Sequence, residues 1–252
     1  MAITVEHLSR TYASSSGTFT AVDDLSFHVA PGEIVGLIGP NGAGKTTTLR
    51  SLAGILRPTR GRVRIDAHDI VEAPIEAKRC LAFMPDEPHL FEYLTVAEHL
   101  RLVARLYGVE DFDRRCAVLI EELQLTGKEQ SLPGELSRGM RQKAVIACGL
   151  VRTATTLLFD EPLTGLDPIG IRRMRNTIVS RARDGAAILL SSHLLHLVEE
   201  ICSRVIIMDR GQKVADGTFA ELASRADLAS AGSSLEQIFL RVTGNDAPAG
   251  QP

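Results

Sequence analysis

The stretch Gly39-Pro40-Asn41-Gly42-Ala43-Gly44-Lys45-Thr46-Thr47 fits the template G-x-x-x-x-G-K-[ST] at every position. Its chemistry is that of a phosphate cradle. Glycines at 39, 42 and 44 let the backbone close on an anion, so that N–H groups and a helix N-terminus face phosphate oxygens. Lys45 adds a point charge for the outer phosphates, and the Thr46 hydroxyl suits Mg²⁺, a hard ion that shares its site with substrate phosphates and water. A second group of residues completes this chemistry. In Leu157-Leu158-Phe159-Asp160-Glu161-Pro162 two carboxylates stand at the exit of an apolar strand, where parallel-sheet sites form. Asp160 is suited to hold Mg²⁺ through water, and Glu161 to orient and partly deprotonate a water attacking a phosphoryl group.

Elements of recognisable type must position these groups. Glu33 to Ile38 is an apolar run of buried-strand type, and Thr46 to Leu52 reads as the opening of a helix, so the glycine-rich loop joins strand to helix. Before it, Ile3, Val5 and His7 alternate with polar residues and Ala21 to Val29 does so loosely. These predict antiparallel strands separated by a loop from Ala13 to Thr20. Gly61 to Asp66 predicts a half-buried strand, and Cys80 to Met84 a buried one ending at Pro85. Thr95 and Glu98 form a capping box, followed by Val96, Leu100, Val103 and Tyr107 at helical spacing until Gly108. A second helix carries Cys116, Leu119, Ile120 and Leu123, and a third runs from about Arg138 to Val151 behind Ser137 as N-cap. Residues 95–152 therefore read as a helical insertion. Apolar strands at 156–160, 187–191 and 205–208 then alternate with helices at about 168–183 and 194–202, which predicts a parallel sheet covered on both faces. A short strand at 213–215 and boxed helix starts at Thr218/Glu221 and Ser234/Gln237 follow, and residues 244–252 read as a disordered tail.

With 44% hydrophobic and 23% charged residues the composition is that of an ordinary globular protein, and a net charge of -3 gives no general reason to expect a nucleic-acid partner. No apolar stretch approaches the ~18 residues needed to cross a bilayer, and the N-terminal residues lack the order of a secretion signal. A cytoplasmic location is the expectation. Cys80, Cys116, Cys148 and Cys202 are widely spaced among apolar neighbours, which predicts buried reduced thiols.

From Ile3 to about Gly244 the chain resembles the nucleotide-binding subunit of an ATP-binding cassette (ABC) transporter. Beyond the phosphate loop, Leu136-Ser137-Arg138-Gly139-Met140 stands where the family has its signature. Gly165-Leu166-Asp167 is similar to its D-loop, Ser192-His193 to its switch histidine, and Tyr12 sits where an aromatic stacks on adenine. The resemblance implies a P-loop NTPase (RecA-like) parallel-sheet core with an antiparallel β subdomain and an inserted α-helical subdomain, over residues 1–243. It implies ATP and Mg²⁺ as cofactors. Two cassettes, alike or different, close head to tail, so that Ser137 and Gly139 of one complete the loop Gly39 to Thr47 of the other, while His193 senses the γ-phosphate. A separate integral membrane permease is the second implied partner, received near Pro88 to Leu94, which places the chain on the cytoplasmic face of the cell membrane. The signature, Pro85-Asp86-Glu87-Pro88 and the segment Ser234 to Leu240 look most like bacterial exporters, although importers also fit. The apolar spacing of Leu235, Ile238, Phe239 and Val242 suggests that the last helix docks on its own cassette or on its twin. A soluble cassette ATPase is the alternative. Neither the heptad run of repair members nor the second phosphate loop of translation members is present, and cluster-assembly members stay open; a P-loop kinase accounts for neither Leu136 to Met140 nor Glu161.

Two positions depart from the common pattern. Asp86 stands where many members carry glutamine; its carboxylate either binds Mg²⁺, directly or through water, which is the reading adopted, or lies back from the phosphates. Met140 replaces a glutamine and Arg138 a glycine. A thioether cannot reproduce an amide's hydrogen bonds, whereas Ser137 and Gly139 are intact, so hydrolysis is still expected.

Overall fold

The computed structural model describes residues 2–15, 17–226 and 234–244. Strands β1 (Ile3–Ser14) and β2 (Gly17–Val29) pair antiparallel, and β3 (Ile34–Ile38) leads through the glycine-rich loop into α1 (Lys45–Leu52). After β4 (Arg60–Ile65), β5 (His68–Asp69), α2 (Pro74–Cys80) and β6 (Leu81–Met84) come α3 (Val96–Leu106), α4 (Phe112–Glu122) and α5 (Arg138–Leu150). The remainder is β7 (Thr156–Asp160), α6 (Pro168–Arg183), β8 (Ala187–Ser191), α7 (Leu195–Ile201), β9 (Arg204–Asp209), β10 (Gln212–Gly217), α8 (Phe219–Arg225) and α9 (Leu235–Val242).

The strands form two sheets. One has the order β10-β9-β3-β8-β7-β6, parallel except for the antiparallel edge strand β10. The other, β2-β1-β4-β5, is antiparallel. Alternation along the parallel strands explains how one sheet organises both sides of the molecule, because successive side chains leave a strand on opposite faces. Val35, Leu37, Leu158, Leu189 and Ile206 join the core shared with α1 and the antiparallel sheet. Ile38, Phe159, Leu190 and Ile207 join the core built with helices α3 to α7. Both faces are thus covered, as the unbroken apolar strands require.

Residues 95–152 carry helices and no strand among the described residues. Thr95 and Ser137 cap α3 and α5, accepting from the Glu98 and Met140 N–H groups. Three expectations need correction. Ala13 to Thr20 is mostly strand, with Tyr12 opposite Phe19 and Ala13 opposite Thr18. This end of the hairpin buries neither face, so it lacks the alternation that marks a half-buried strand. Cys80 ends α2 and does not begin β6; Pro74 opens a helix too short to show a helical period. Of the four cysteines only Cys202 is buried, the other three being half-buried, and all are free thiols.

The last helix docks on its own cassette. Leu235 and Ile238 enter the core, α9 lies against α7, and the Leu235 N–H donates to Glu199 Oε2 at 3.2 Å. Residues 245–252, most of the expected tail, lie outside the described residues. Because Ile238 is 1% exposed, Ile238→Ala is expected to cost about 2–5 kcal/mol, read as a clear fall in the thermal unfolding midpoint.

Candidate active site

The glycine-rich loop leaves β3 at the centre of the parallel sheet and is held closely by its neighbours. A Cβ at Gly39 would lie 2.4 Å from the Met208 carbonyl oxygen. Gly44 has φ +100, and a Cβ there would meet the Ala21 carbonyl oxygen at 2.5 Å, so a larger residue is excluded by both conformation and space. Gly44 is the N-cap of α1, yet no side chain caps that helix and its first turn holds no acidic residue. Free N–H groups and the positive end of the helix dipole are left for an anion. Lys45 is buried, its Nζ donating to the carbonyls of Gly39 at 2.6 Å and Pro40 at 3.1 Å. Burial pushes its ammonium below the ordinary lysine range, opposed by the carboxylates of Glu161 and Asp160. A phosphate bound beside it would favour the charged form and reverse that shift.

Around this cradle runs one connected chain of polar groups. The Thr46 hydroxyl is 3.3 Å from Asp160 Oδ1, to which it donates, and Ser191 Oγ donates to the same oxygen at 2.7 Å. Ser191 Oγ in turn accepts the Glu161 N–H at 3.0 Å. Glu161 Oε2 accepts the His193 backbone N–H at 3.2 Å and lies 2.7 Å from His193 Nδ1. With the ring proton on Nδ1 the imidazole donates to the carboxylate and presents Nε2 outward. Glu161 has φ 50, a left-handed conformation that costs an L-residue about 1–2 kcal/mol. It is secured by its N–H bond to Ser191 and by Thr164, whose N–H donates to its carbonyl at 3.2 Å. The sequence reading did not single out Ser191. Its only signal was a hydroxyl ending an otherwise apolar strand directly before Ser192-His193.

Among the other predicted residues, Asn41, Ala43 and Thr47 lie in the loop and first turn with the glycines, and the Ala43 N–H closes the turn on Pro40 O at 3.1 Å. His193 is exposed rather than a buried core histidine, with 56% of its side chain accessible. Tyr12 lies half-buried on β1, and Arg10 sits over its ring at 4.7 Å from the centroid. Ser137, exposed, caps α5, and Gly139, half-buried, lies in its first turn; among the described residues, neither makes a hydrogen bond to Thr46, Asp160, Ser191, Glu161 or His193. Asp86 faces a cation: its Oδ1 lies 3.7 Å from Arg138 Nη2. In the segment from Pro88 to Leu94, Leu90 packs on the core, whereas Phe91 is 65% and Tyr93 88% exposed.

The donor set fits Mg²⁺: Thr46 and Asp160 bring two hard oxygens together, and among the described residues no cluster of three or more His, Cys, Asp or Glu forms a protein-only cage. That is the arrangement of an ion completed by phosphate and water. A glycine-rich anion cradle with an uncapped helix, an oxygen pair suited to Mg²⁺ and a hydrogen-bonded glutamate at the strand ends of an α/β sheet are the parts that nucleotide-dependent phosphoryl transfer requires.

The chain belongs to the ABC transporter family, whose model matches residues 22–164. It is 34% identical over 226 residues to the ABC-type transporter ATP-binding protein EcsA of Bacillus subtilis (strain 168), covering 89% of this chain and 91% of that protein. It is 37% identical over 214 residues to the SkfA peptide export ATP-binding protein SkfE of the same organism, covering 84% of this chain and 87% of that one. Among solved structures, an ATP binding subunit of an ABC transporter superposes with a TM-score of 0.90 at 34% identity, covering 96% of this chain and 100% of that one.

Ser191→Ala removes a buried hydroxyl that donates to the Asp160 carboxylate and accepts the backbone N–H of Glu161. We expect ATP hydrolysis to fall about tenfold or more, with a raised half-saturating Mg²⁺ concentration, as when an outer partner of a metal ligand is lost. Steady-state ATPase assays at varied Mg²⁺ measure both.

Proposed function

We propose that this chain is the Mg²⁺-dependent ATPase subunit of an exporter, binding ATP on the Gly39 to Thr47 loop and driving a separate membrane permease as one half of a cassette dimer. The observation that carries this reading is the continuous chain Thr46, Asp160, Ser191, Glu161, His193 beside the uncapped N-terminus of α1. Lys45 and the loop N–H groups hold the phosphates, and Tyr12 takes adenine on the ring face away from Arg10. Thr46 and Asp160 hold Mg²⁺, which when bound neutralises developing phosphate charge. Glu161 orients the attacking water and accepts its proton, while His193 keeps that carboxylate in place and turns Nε2 toward the γ-phosphate.

Among the described residues, the helix start that meets the glycine-rich loop is that of α1. Ser137 already accepts the Met140 N–H, which leaves its O–H free to donate, and the positive end of α5 is exposed. In a head-to-tail dimer these groups and Gly139 meet the γ-phosphate held by the facing copy. Export is favoured over a soluble role by relatives such as SkfE, whose name specifies peptide export. No helix among the described residues is long and apolar enough to cross a membrane. A permease on a separate chain, with this subunit on its cytoplasmic face, is supported by relatives whose names make them the ATP-binding proteins of transporters. A single cassette domain over residues 1–243 is part of the same reading.

Glu161→Gln should lower hydrolysis about 10²-fold or more while retaining ATP in a stable dimer, measured by phosphate release and light scattering; hydrolysis at the normal rate would reject Glu161 as the base. Phe91→Ala with Tyr93→Ala should abolish transport and permease co-purification while the isolated subunit keeps its ATPase rate, because these rings are exposed and outside the polar chain.

A further inference from the structure

The segment beginning at Pro85 is attached to α5 at two points. Gln142, 2% exposed, donates from Nε2 to the Pro85 carbonyl at 3.0 Å. One helical turn earlier on the same face, Arg138 Nη2 lies 3.7 Å from Asp86 Oδ1. An ion pair between groups this exposed, 59% for Arg138 and 45% for Asp86, ordinarily contributes little. Two features set this one apart. The Asp86 Oδ1 atom is itself closed to solvent and has no hydrogen-bond partner, so the guanidinium is the compensating charge it faces. Arg138 also occupies the first turn of a helix that has no acidic residue there, where the dipole disfavours a cation, and Asp86 supplies the missing negative charge from another segment.

The stem of Arg138 meets a third segment. A Cβ on Gly165 would lie 3.7 Å from Arg138 Cδ and Nε, and one on Gly139 would lie 2.8 Å from the Gly165 carbonyl oxygen. The start of α5 is therefore wedged between residues 85–86 and Gly165. Five and seven residues beyond Asp86 the chain reaches the exposed rings of Phe91 and Tyr93.

We propose that Arg138 and Asp86 are paired positioning residues. They fasten the start of α5, with Ser137 and Gly139, to the 85–94 segment, so that a displacement of one carries the other. Asp86 then serves as the counter-ion of Arg138, and its negative charge beside a triphosphate is neutralised within the chain. This rests on the reading that α5 faces the nucleotide of a second cassette.

Two readouts separate the inference from that reading. Hydrogen exchange of the nucleotide-free protein is expected to rise in both 84–94 and 137–142 in each of Asp86→Asn and Arg138→Gln, and to stay near the parent level in Arg138→Lys, which keeps the charge. A rise confined to the segment bearing the substitution would overturn the pairing. In a Glu161→Gln background, each neutral variant is expected to raise the MgATP concentration giving half-maximal dimer about fivefold, and the double variant no further than the larger single effect. Multiplying effects would overturn the pairing. So would a raised half-saturating Mg²⁺ concentration in Asp86→Asn alone, which would make Asp86 a metal ligand. Failure of the Glu161→Gln parent to dimerise with MgATP would fault the ATPase-dimer reading, and the exchange experiment would still decide the pair.

Discussion

The site depends on the register between β7 and β8. Asp160 and Ser191 are direct partners at the ends of these parallel strands, and only in that register can Ser191 Oγ reach both Asp160 and the N–H of Glu161. The register is set far from the chemistry. Leu158 and Leu189 share one core and Phe159 and Leu190 the other, so a slip by one residue would exchange the contents of two cores. The same packing that stabilises the sheet thus aligns two carboxylates and a hydroxyl at its edge.

Against this rigid background the anion cradle is poorly satisfied. The N-terminus of α1 has no side-chain cap, Lys45 is buried with only backbone carbonyls as hydrogen-bond partners, and Glu161 holds a left-handed backbone. Each feature opposes stability in the free protein, and a triphosphate bound there would relieve the first two: its oxygens would accept from the free N–H groups and supply the counter-charge for Lys45. Nucleotide binding is in this sense the completion of a fold whose loop cannot satisfy itself.

The residues explain which parts of this were readable in advance. The phosphate loop and the Asp160-Glu161 pair lie within short continuous stretches whose spacing is itself the chemistry, and capping boxes such as Thr95/Glu98 satisfy their own helix locally. The parallel core was readable because strands buried on both faces lack polar residues. The hairpin around Tyr12 and Phe19 was missed because it buries neither face, and α2 because seven residues are too few for a period. Ser191 and the Asp86–Arg138 pair belong to a different category. Their roles arise between segments separated by 30 and 52 residues, and no pattern along the chain records a contact that only folding creates.

The attachment of the exposed rings decides where a force on them would travel. The Phe91 N–H donates to His99 Nε2 at 2.8 Å, and the Phe91 and His99 rings stack with centroids 5.9 Å apart. Because Nε2 accepts there, the proton of a neutral ring resides on Nδ1, which donates to the Thr95 carbonyl at 2.8 Å. His99 is buried and thereby pins the segment to the first turn of α3 in a single tautomer. Helix α3 packs on α5, whose Gln142 returns to Pro85, closing a loop of contacts from Phe91 through His99 and α5 back to the base of its own segment. Tyr93 stands outside that loop, 88% exposed. The segment is thus fastened to the first turn of α3 and to α5, the helix whose start carries Ser137 and Gly139, as well as following directly on β6.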